Sequence, residues 1–298
     1  MNDQNFQSSS VIGLGAMGNG IAQNIAKAGH LKSVFDSNKS VVNNFVCDNK
    51  IIKNNIQITV NQCDTYIFIV PSNKEIRDFL FKDHFIDKLN KGSVIIDLTT
   101  SNPKDSIELA KELQIRDLEY LDCGMTGGAI GADNGTLTLM IGGDTNVLEK
   151  VHNILDSFTN NIFHVGKTGS GHSLKLIHNM VTHTIFLSTV EGVKAAERLG
   201  VDPKMVIDVF NNGNARSFIS ESRFPKNILS DKWDARSKVS NLYKDLSMAT
   251  EILNAMQVSC PFGDLTTNIL SKAMKKELQN TDFSKLYLEY YKLIDEEG

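Results

Sequence analysis

The stretch VIGLGAMGNG, residues 11–20, places three glycines between an apolar run and a segment with helical periodicity. Gly13, Gly15 and Gly18 have the G-x-G-x-x-G spacing of a strand-to-helix turn. In such a turn the first glycine permits the tight bend, the second lets the backbone approach a pyrophosphate and the third allows close helix–sheet packing. The spacing predicts a dinucleotide-binding loop. The residues between these glycines are assigned to the same site: Leu14, Ala16 and Met17.

An acidic residue follows at the end of the next apolar run, KSVFD, residues 32–36. A carboxylate at Asp36 can accept hydrogen bonds from the adenosine ribose hydroxyls, and its charge repels a 2′-phosphate. Ser37 comes next, where an NADP-binding chain often has an arginine. The pair predicts NAD as the cofactor. The alternative is a purely structural glycine turn followed by a helix-capping aspartate.

The first half of the chain alternates short apolar runs with helical stretches. The further runs are TYIFIVP, SVIIDLT, LEYLDCG and GTLTLMIGG. Continuous apolar runs are typical of parallel strands that are covered on both faces. We therefore predict an α/β domain of the Rossmann type over residues 10–166, with a doubly wound, mainly parallel sheet. A disordered head is expected over residues 1–9.

The second half predicts only helices and loops. Residues 167–298 form an all-α domain in this interpretation, and a long helix from Ser170 to Leu199 joins it to the first domain. An apolar stripe supports that helix: Leu174, Ile177, Val181 and Ile185. Gly200 should cap its end, and Asp202 with Pro203 should begin the next helix.

Composition excludes several classes of protein. The 298 residues carry a net charge of −4, with 41% hydrophobic and 22% charged residues. The sequence has no long basic run, so it does not predict a nucleic-acid or membrane-surface site. The polar N-terminus lacks the features of a signal peptide, and no apolar run approaches the ~20 residues that span a bilayer. Four scattered cysteines suit a reducing compartment, so we expect a cytoplasmic protein.

Three segments together resemble the β-hydroxyacid dehydrogenase family, which includes 3-hydroxyisobutyrate dehydrogenase, tartronate semialdehyde reductase, L-threonate dehydrogenase and, more distantly, 6-phosphogluconate dehydrogenase. The segments are GLGAMG near the start, DCGMTGGAIGADNGTLTLMIGG at residues 122–143 and GSGHSLKLIHN at residues 169–179. YKDL, residues 243–246, is a weaker fourth match. Their order covers most of the chain.

The resemblance implies roles for individual residues. Lys175 matches the family's catalytic lysine, and Asn179 matches the amide one turn later. The substrate carboxylate is implied to lie at Thr126, Gly127 and Gly128. Several further residues are implied to lie along the cofactor: Val70, Pro71, Thr99, Thr100 and Lys244.

The chain also departs from the family's pattern. The common DAPVSGG is DCGMTGG here, so Thr126 keeps a hydroxyl but adds a methyl group. The common KLxNN is KLIHN, which resembles 6-phosphogluconate dehydrogenase. That enzyme uses a glutamate as an acid where this chain has Thr182, and its helical domain is much longer. We therefore do not expect decarboxylation.

The polar face of the long helix suits alcohol oxidation. Oxidation with a nicotinamide needs a proton acceptor, and Lys175 can serve if its pKa falls from ~10.4 towards neutrality. Asn179 lies one turn along the same face and would hold the substrate hydroxyl. His178 is assigned to the substrate site, with a buried core histidine as the alternative. For Lys175 the alternative is a lysine that extends from a buried helix to solvent.

Other polar residues support weaker assignments. Arg216, and Arg223 further along, could contact a second acidic or hydroxylated group of the substrate; a surface ion pair is the alternative. The polar stretch ARSKVSNLYKDL favours a polar substrate. The seven histidines have no metal-ligand spacing, so no metal site is expected.

We therefore expect an NAD-dependent oxidoreductase that interconverts a small 3-hydroxy acid and its semialdehyde or keto acid. One alternative is an NADH-dependent reductase of a short semialdehyde acid, of the tartronate- or succinate-semialdehyde type. Another is a nucleotide-binding module without catalysis. By analogy, the long helix favours a homodimer or homotetramer.

Overall fold

The computed structural model describes residues 8–47, 50–82 and 84–294. The first seven residues of the expected disordered head lie outside this range, and Ser9 already begins the first strand. The chain divides into two compact units, and the division falls after Lys175. This is later than the expected boundary at residues 166/167 because the first turn of the long helix belongs to the first unit.

Within the described residues, the first unit contains one eight-stranded sheet. Its strands are β1 (Ser9–Ile12), β2 (Leu31–Phe35), β3 (Ile52–Lys53), β4 (Thr65–Phe68), β5 (Val94–Asp97), β6 (Glu119–Thr126), β7 (Leu137–Gly142) and β8 (Thr159–Gly166). The spatial order is β3-β2-β1-β4-β5-β6-β7-β8. All neighbours are parallel except β6 and β7, which are antiparallel.

Helices cover the sheet between these strands: α1 (Gly18–Lys27), α2 (Lys39–Asn44), α3 (Ile56–Thr59), α4 (Asn73–Phe81), α5 (Pro103–Gln114), α6 (Gly128–Asn134) and α7 (Thr145–Asp156). Alternate residues of one strand belong to different cores. Ile96 of β5 packs in one apolar cluster and Ile95 packs in another. Because successive side chains of a strand point to opposite faces, both faces of the sheet are buried. The doubly wound architecture is confirmed.

The sequence patterns did not predict two of the strands. β3 has only two residues, and β8, with the sequence TNNIFHVG, is polar and half-exposed. β8 lies at the edge of the sheet beside β7. An edge strand is not buried on both faces, so it lacks the continuous apolar run that marks the other strands.

The second unit is helical. After the long helix α8 (Ser170–Arg198), it contains α9 (Pro203–Asn212), a π-helical segment (Ile219–Ile228), α10 (Val239–Ala255), α11 (Pro261–Lys275) and α12 (Leu286–Ile294). These helices enclose a core of their own, which includes Phe186, Phe224 and Leu246. None of the described helices is long and apolar enough to cross a membrane.

The end of α8 follows the expected caps. Gly200 has a φ of +83°, and the Val201 N–H donates to the Ala196 carbonyl at 3.0 Å. This is the Schellman arrangement that glycine favours. Asp202 then accepts from the Lys204 N–H at 2.9 Å, with Pro203 in the first turn of α9.

The beginning of α8 depends on a residue that is distant in sequence. Asp122, fully buried on β6, accepts from the Gly169 N–H at 2.7 Å and from the His172 N–H at 2.9 Å. A carboxylate from the sheet thus replaces a local N-cap. A Cβ on Gly171 would collide with the Asp122 carbonyl oxygen, and one on Gly142 would lie 2.5 Å from Asp122 Oδ1. These glycines let the helix begin in contact with the sheet.

Of the apolar stripe that predicts α8, Ile185 packs against the second core, and the other three residues lie on the exposed side of the helix. Leu174, Ile177 and Val181 are 39%, 38% and 50% exposed. The side that packs into the second core carries other residues: Phe186, Val190 and Val193. The periodicity predicts the helix correctly, but it does not indicate which face the chain itself covers.

Replacing Asp122 by alanine tests its capping role. The change leaves two buried N–H groups without their acceptor. Hydrogen bonds to charged groups contribute about 1.5–3 kcal/mol each, so the loss of two of them in Asp122→Ala should lower the free energy of unfolding by about 3–6 kcal/mol. Chemical denaturation followed by circular dichroism measures the loss.

Asp144 provides a matched control. It caps α7 locally, accepts from the Asn146 N–H at 2.7 Å and is exposed. Asp144→Ala should cost only ~1 kcal/mol, the usual value for a surface N-cap. Equal losses for the two alanine variants would contradict the special role of Asp122.

Candidate active site

The glycine loop between β1 and α1 is closed by backbone contacts. The Gly13 N–H donates to the Phe35 carbonyl at 2.8 Å, and the Gly13 φ is +99°. A Cβ on Gly13 would collide with the carbonyl oxygen of Ile69, just after β4, and a Cβ on Gly18 would collide with the Gly13 carbonyl oxygen. Both glycines are therefore required by the packing of the chain itself.

Gly15 is different. An added Cβ would meet no heavy atom within 4 Å, and its backbone does not need glycine for its φ. Nothing inside the chain explains the missing side chain. A phosphate group that approaches from outside does explain it, because a side chain there would occupy its place. Helix α1 begins beside it with no side-chain cap at Met17 and no acidic residue in its first turn. The loop therefore fits a dinucleotide.

Asp36 has a structural contact as well as its predicted role. Its Oδ2 accepts from the Leu14 N–H at 2.7 Å, and its Oδ1 accepts from the Asn38 N–H at 2.8 Å. Each carboxylate oxygen has a further lone pair that a ribose hydroxyl can use. Asp36 thus holds the glycine loop in place and presents its charge beside Leu14. Ser37 is exposed at the same turn.

The loops after β4 and β5 meet beside the glycine loop. The Thr99 hydroxyl accepts from the Val70 N–H at 3.4 Å, and the Thr99 N–H donates to Asp97 Oδ1 at 2.8 Å. Thr99 is buried, Val70 and Thr100 are half-exposed, and Pro71 is exposed. The carboxyl ends of neighbouring parallel strands form the usual ligand edge of an open α/β sheet. The predicted cofactor residues of the first unit share this edge.

The predicted substrate residues follow β6. Thr126 ends the strand, and the two glycines after it have φ values of +123° (Gly127) and +63° (Gly128). Lys175 lies against the same strand, because a Cβ on Gly124 would be 2.5 Å from the Lys175 Cβ. Glycine at this position allows the lysine stem to pack directly on the strand that leads to Thr126.

A buried polar network lies under this edge. Asp97 is fully buried, and its Oδ2 accepts from the Tyr120 hydroxyl at 2.9 Å. Burial raises the pKa of the Asp97 carboxyl, and His172 opposes the rise. Burial, and then the charges of Asp97 and Asp122, raise the pKa of Tyr120 well above its usual value. The buried side chains of Asp97 and Tyr120, both with raised pKa values, thus lie beside the sheet end of α8.

The second unit brings together four polar residues. Asn179 donates from Nδ2 to Asp245 Oδ2 at 2.7 Å, and the Lys244 Nζ lies 3.3 Å from Asp245 Oδ1. His178 Nδ1 lies 3.3 Å from Asn179 Oδ1. The amide of Asn179 is therefore held in one orientation by a carboxylate that is only 8% exposed.

The two arginines differ in environment. Arg216 is 65% exposed, with its Nε 3.6 Å from Glu221 Oε1, as expected for a surface ion pair. It also lines an open polar pocket of about 390 Å³ with Asn211 and Asn214. Arg223 is half-buried near the Phe218 ring, and burial lowers its pKa.

Three polar residues of these sites were missed from sequence: Asp122, His172 and Asp245. A carboxylate inside an otherwise apolar strand, as in LEYLDCG, was an available signal for Asp122, because such groups are rarely buried without partners. The partners of His172 and Asp245 are distant in sequence, so no local pattern indicates them.

The cysteines and the possible metal ligands were also compared. None of the four cysteines forms a disulfide, and burial raises the pKa of the Cys63 thiol to about 12. In the parts of the chain that the structure describes, no group of three His, Cys, Asp or Glu residues could hold a metal ion.

Comparison with known families gives two matches that follow one another along the chain. Residues 8–166 match the NAD-binding domain of 6-phosphogluconate dehydrogenase. Residues 169–290 match the NAD-binding domain of NADP-dependent 3-hydroxyisobutyrate dehydrogenase. The chain belongs to the β-hydroxyacid dehydrogenase family. It is accordingly an oxidoreductase that uses NAD, and both the resemblance and the cofactor inferred from sequence are confirmed.

Relatives in this family align with this chain over nearly its full length and nearly their own. The NAD-dependent L-serine dehydrogenase of Pseudomonas aeruginosa is 28% identical, over 92% of this chain and 94% of the relative. The 2-(hydroxymethyl)glutarate dehydrogenase of Eubacterium barkeri is 27% identical, over 92% and 91%. The solved structure of 3-hydroxyisobutyrate dehydrogenase from Mycobacterium tuberculosis, with L-serine, has the same fold: the TM-score is 0.86 at 22% identity, covering 96% of this chain and 99% of that one.

The raised pKa of Asp97 predicts how stability depends on pH. A raised folded-state pKa means that the folded chain holds a proton that the unfolded chain has lost, so this contribution is complete below the unfolded value of ~3.9 and is lost as pH rises through the folded pKa. In the variant Asp97→Asn, the asparagine side chain does not titrate. The free energy of unfolding of the variant should therefore rise relative to the parent between pH 4 and pH 8, as measured by urea denaturation. A constant difference across that range would contradict the argument.

Proposed function

We propose that the protein interconverts a small 3-hydroxy acid and its semialdehyde or keto acid, with NAD as cofactor and Lys175 as the general acid and base. The observation that carries the proposal is the packing of Lys175 on Gly124 of β6. This is the strand that ends at Thr126, the first of the proposed carboxylate-binding residues. The lysine and the carboxylate site thus share one strand of the first unit.

The acid end of the substrate is assigned to Thr126, Gly127 and Gly128. A threonine hydroxyl can donate to a carboxylate, and successive glycines with positive φ turn backbone N–H groups to one side. Gly127 is exposed, so an anion can reach its N–H. The methyl group of Thr126 narrows the pocket relative to the serine that is common in the family.

The residues of the chain supply binding and proton transfer. When bound, the nicotinamide supplies the hydride chemistry. Lys175 accepts the hydroxyl proton at Nζ during oxidation and returns it during reduction. Asn179, one turn later on α8, is proposed to hold the same hydroxyl. Asp245 fixes the Asn179 amide, which leaves the second Nδ2 hydrogen available to a ligand.

The relatives suggest a substrate class. L-serine, 3-hydroxyisobutyrate and 2-(hydroxymethyl)glutarate, which the names of these proteins give, are all 3-hydroxypropanoates with a substituent at C2. We propose this shared core for the present substrate. We propose that Arg216, assigned to the substrate site from sequence, contacts a polar substituent of this core rather than a methyl group. His178 and Lys244 are further candidates for contacts with substrate and cofactor.

Two other functions use the same fold. An NADH-dependent reductase of a short semialdehyde acid would use the same residues in the opposite direction, with Lys175 as the proton donor. A nucleotide-binding module without catalysis would need neither Lys175 nor Asn179. Because both residues are present and Asn179 is held by Asp245, the structure favours an enzyme.

The assembly and compartment are also proposals. The exposed apolar residues of α8 support contact between subunits, as in a homodimer or homotetramer. Four cysteines that form no disulfide support a reducing compartment such as the cytoplasm. Light scattering of the purified protein tests the assembly, and a monomer would contradict it.

Cofactor preference should depend on Asp36. Asp36→Ala with Ser37→Arg removes the charge that repels a 2′-phosphate and adds one that binds it, so the ratio of kcat/KM values for NADP and NAD should rise by at least about tenfold. The change also removes the acceptor of the Leu14 N–H, so the affinity for both cofactors should fall. The ratio is therefore the decisive measurement. A parent protein that already uses NADP as well as NAD would contradict the assignment.

Activity should depend on Lys175. Reduction is measured with NADH and a panel of semialdehyde acids, and oxidation with NAD and 3-hydroxyisobutyrate, serine, glycerate or threonate. Lys175→Ala should lower kcat by ~10²–10⁴-fold in both directions. Lys175→Arg should not restore activity, because a guanidinium keeps its proton near neutral pH. The affinity for NADH should change little in either variant. Asn179→Ala should cost less than the loss of the lysine.

Lys167 provides the control, because it is exposed just before α8. Lys167→Ala should leave kcat within about twofold, as expected for a surface change. Turnover of Lys175→Ala within a few-fold of the parent would rule out the proposed mechanism and leave His178 as the next candidate.

A further inference from the structure

His172 lies in the first turn of α8 and is fully buried. Every polar group that it can use is engaged. Its backbone N–H donates to Asp122 Oδ2 at 2.9 Å. In its ring, Nδ1 lies 2.8 Å from the Ser106 hydroxyl of α5, and Nε2 lies 3.2 Å from the Asp97 carbonyl oxygen at the end of β5. One side chain therefore joins α8, α5 and β5.

The chemistry of these partners fixes the ring. A carbonyl oxygen can only accept, so the Nε2 of His172 must carry a hydrogen. In the neutral ring, Nδ1 then accepts from the Ser106 hydroxyl. A flipped ring would leave the Asp97 carbonyl without its donor in a buried site, which costs about 1–3 kcal/mol for each unpaired group. His172 is held in one orientation, and it holds the helix with it.

The contact with Asp97 leads to the cofactor edge. The carboxylate of Asp97 accepts from the Thr99 N–H at 2.8 Å, and the Thr99 hydroxyl accepts from the Val70 N–H at 3.4 Å. These are the loops after β5 and β4 that carry the predicted cofactor residues. The His172 ring thus connects the first turn of α8 to the backbone that leads into both loops.

Lys175 follows His172 by about one turn, and its stem packs on Gly124. We propose that His172 is a positioning residue that fixes the place of Lys175 relative to the cofactor loops. Displacement of the first turn of α8 would carry the lysine with it, and a displacement of about 1 Å can cost ~10²-fold in rate. The role rests on the proposed function of Lys175 as the proton-transfer group.

The first test compares three variants in the full-length protein with bound NADH. His172→Leu removes both ring contacts and should lower kcat by about 10–100-fold, while the KM for the acid and the Kd for NADH stay within about threefold. His172→Gln should restore kcat to within about threefold, because its amide can donate to the Asp97 carbonyl and accept from Ser106. Ser106→Ala, which removes one contact only, should give an intermediate loss. Ser106→Ala also tests the positioning role if His172→Leu does not fold.

Tyr120→Phe is the matched control. It removes a buried hydroxyl that contacts Asp97 Oδ2 and the Ser106 side chain, but every group that contacts His172 stays in place. If His172 contributes only to stability, Tyr120→Phe and His172→Leu should have the same small effect on kcat well below their melting temperatures. Equal kcat values for these two variants would overturn the positioning role. Failure of His172→Gln to restore kcat would overturn it as well.

A second measurement separates this role from the proposed function. Acylation of lysines in the NADH-bound protein, quantified by mass spectrometry, reports the ratio of labelling at Lys175 to labelling at Lys167 without any substrate. His172→Leu should change the ratio, and Tyr120→Phe should not. If no acid of the panel is turned over, the proposed function fails, yet a changed ratio still supports the positioning role. An unchanged ratio overturns it.

Discussion

The buried carboxylate of Asp122 is the contact on which the arrangement of the first unit's site depends. It pairs the first turn of α8 with the middle of the sheet, through the N–H groups of Gly169 and His172. Without it, a 29-residue helix would begin on buried peptide groups that have no acceptor. Because Gly142 and Gly171 have no side chains, the helix can approach the strands closely enough for these bonds to form. The position of Lys175 against β6 follows from where the helix begins.

The three glycines of the loop between β1 and α1 are glycine for two different reasons. At Gly13 and Gly18 a Cβ would collide with neighbouring carbonyl groups, so the fold itself requires them. At Gly15 a Cβ would meet no heavy atom within 4 Å, so the packing of the chain does not account for the missing side chain. A motif alone cannot make this distinction, since all three positions look the same in sequence. The structure separates the two glycines that the packing of the loop requires from the one that it does not require. It also shows that Asp36 both holds the loop and carries the charge beside it.

Much of this fold follows from local sequence. The glycine loop, the buried strands and α8 with its terminal Gly200 were all predicted, because each depends on residues that are neighbours in the chain. The edge strand β8 was missed because it is polar and half-exposed. Within the site, the proposed residues come from motifs, whereas the contacts that hold them cannot be read from those motifs. Asp97, Ser106 and His172 come from three separate segments, and the partners Asn179 and Asp245 come from two. Only the folded chain brings such residues together.

The charges around Lys175 bear on how a lysine can release a proton. The positive end of the α8 dipole disfavours an ammonium group in the first turns, whereas the carboxylate of Asp122 favours it. That carboxylate accepts directly from the N–H groups of Gly169 and His172, so the two effects act on the lysine in opposite directions. A bound cofactor adds a third effect. An oxidised nicotinamide carries a positive charge, which favours the neutral amine that alcohol oxidation needs, and the reduced form lacks that charge and favours the ammonium that reduction needs. If Lys175 is the proton-transfer group, its proton and the redox state of the cofactor are coupled through electrostatics, and the same site can operate in both directions.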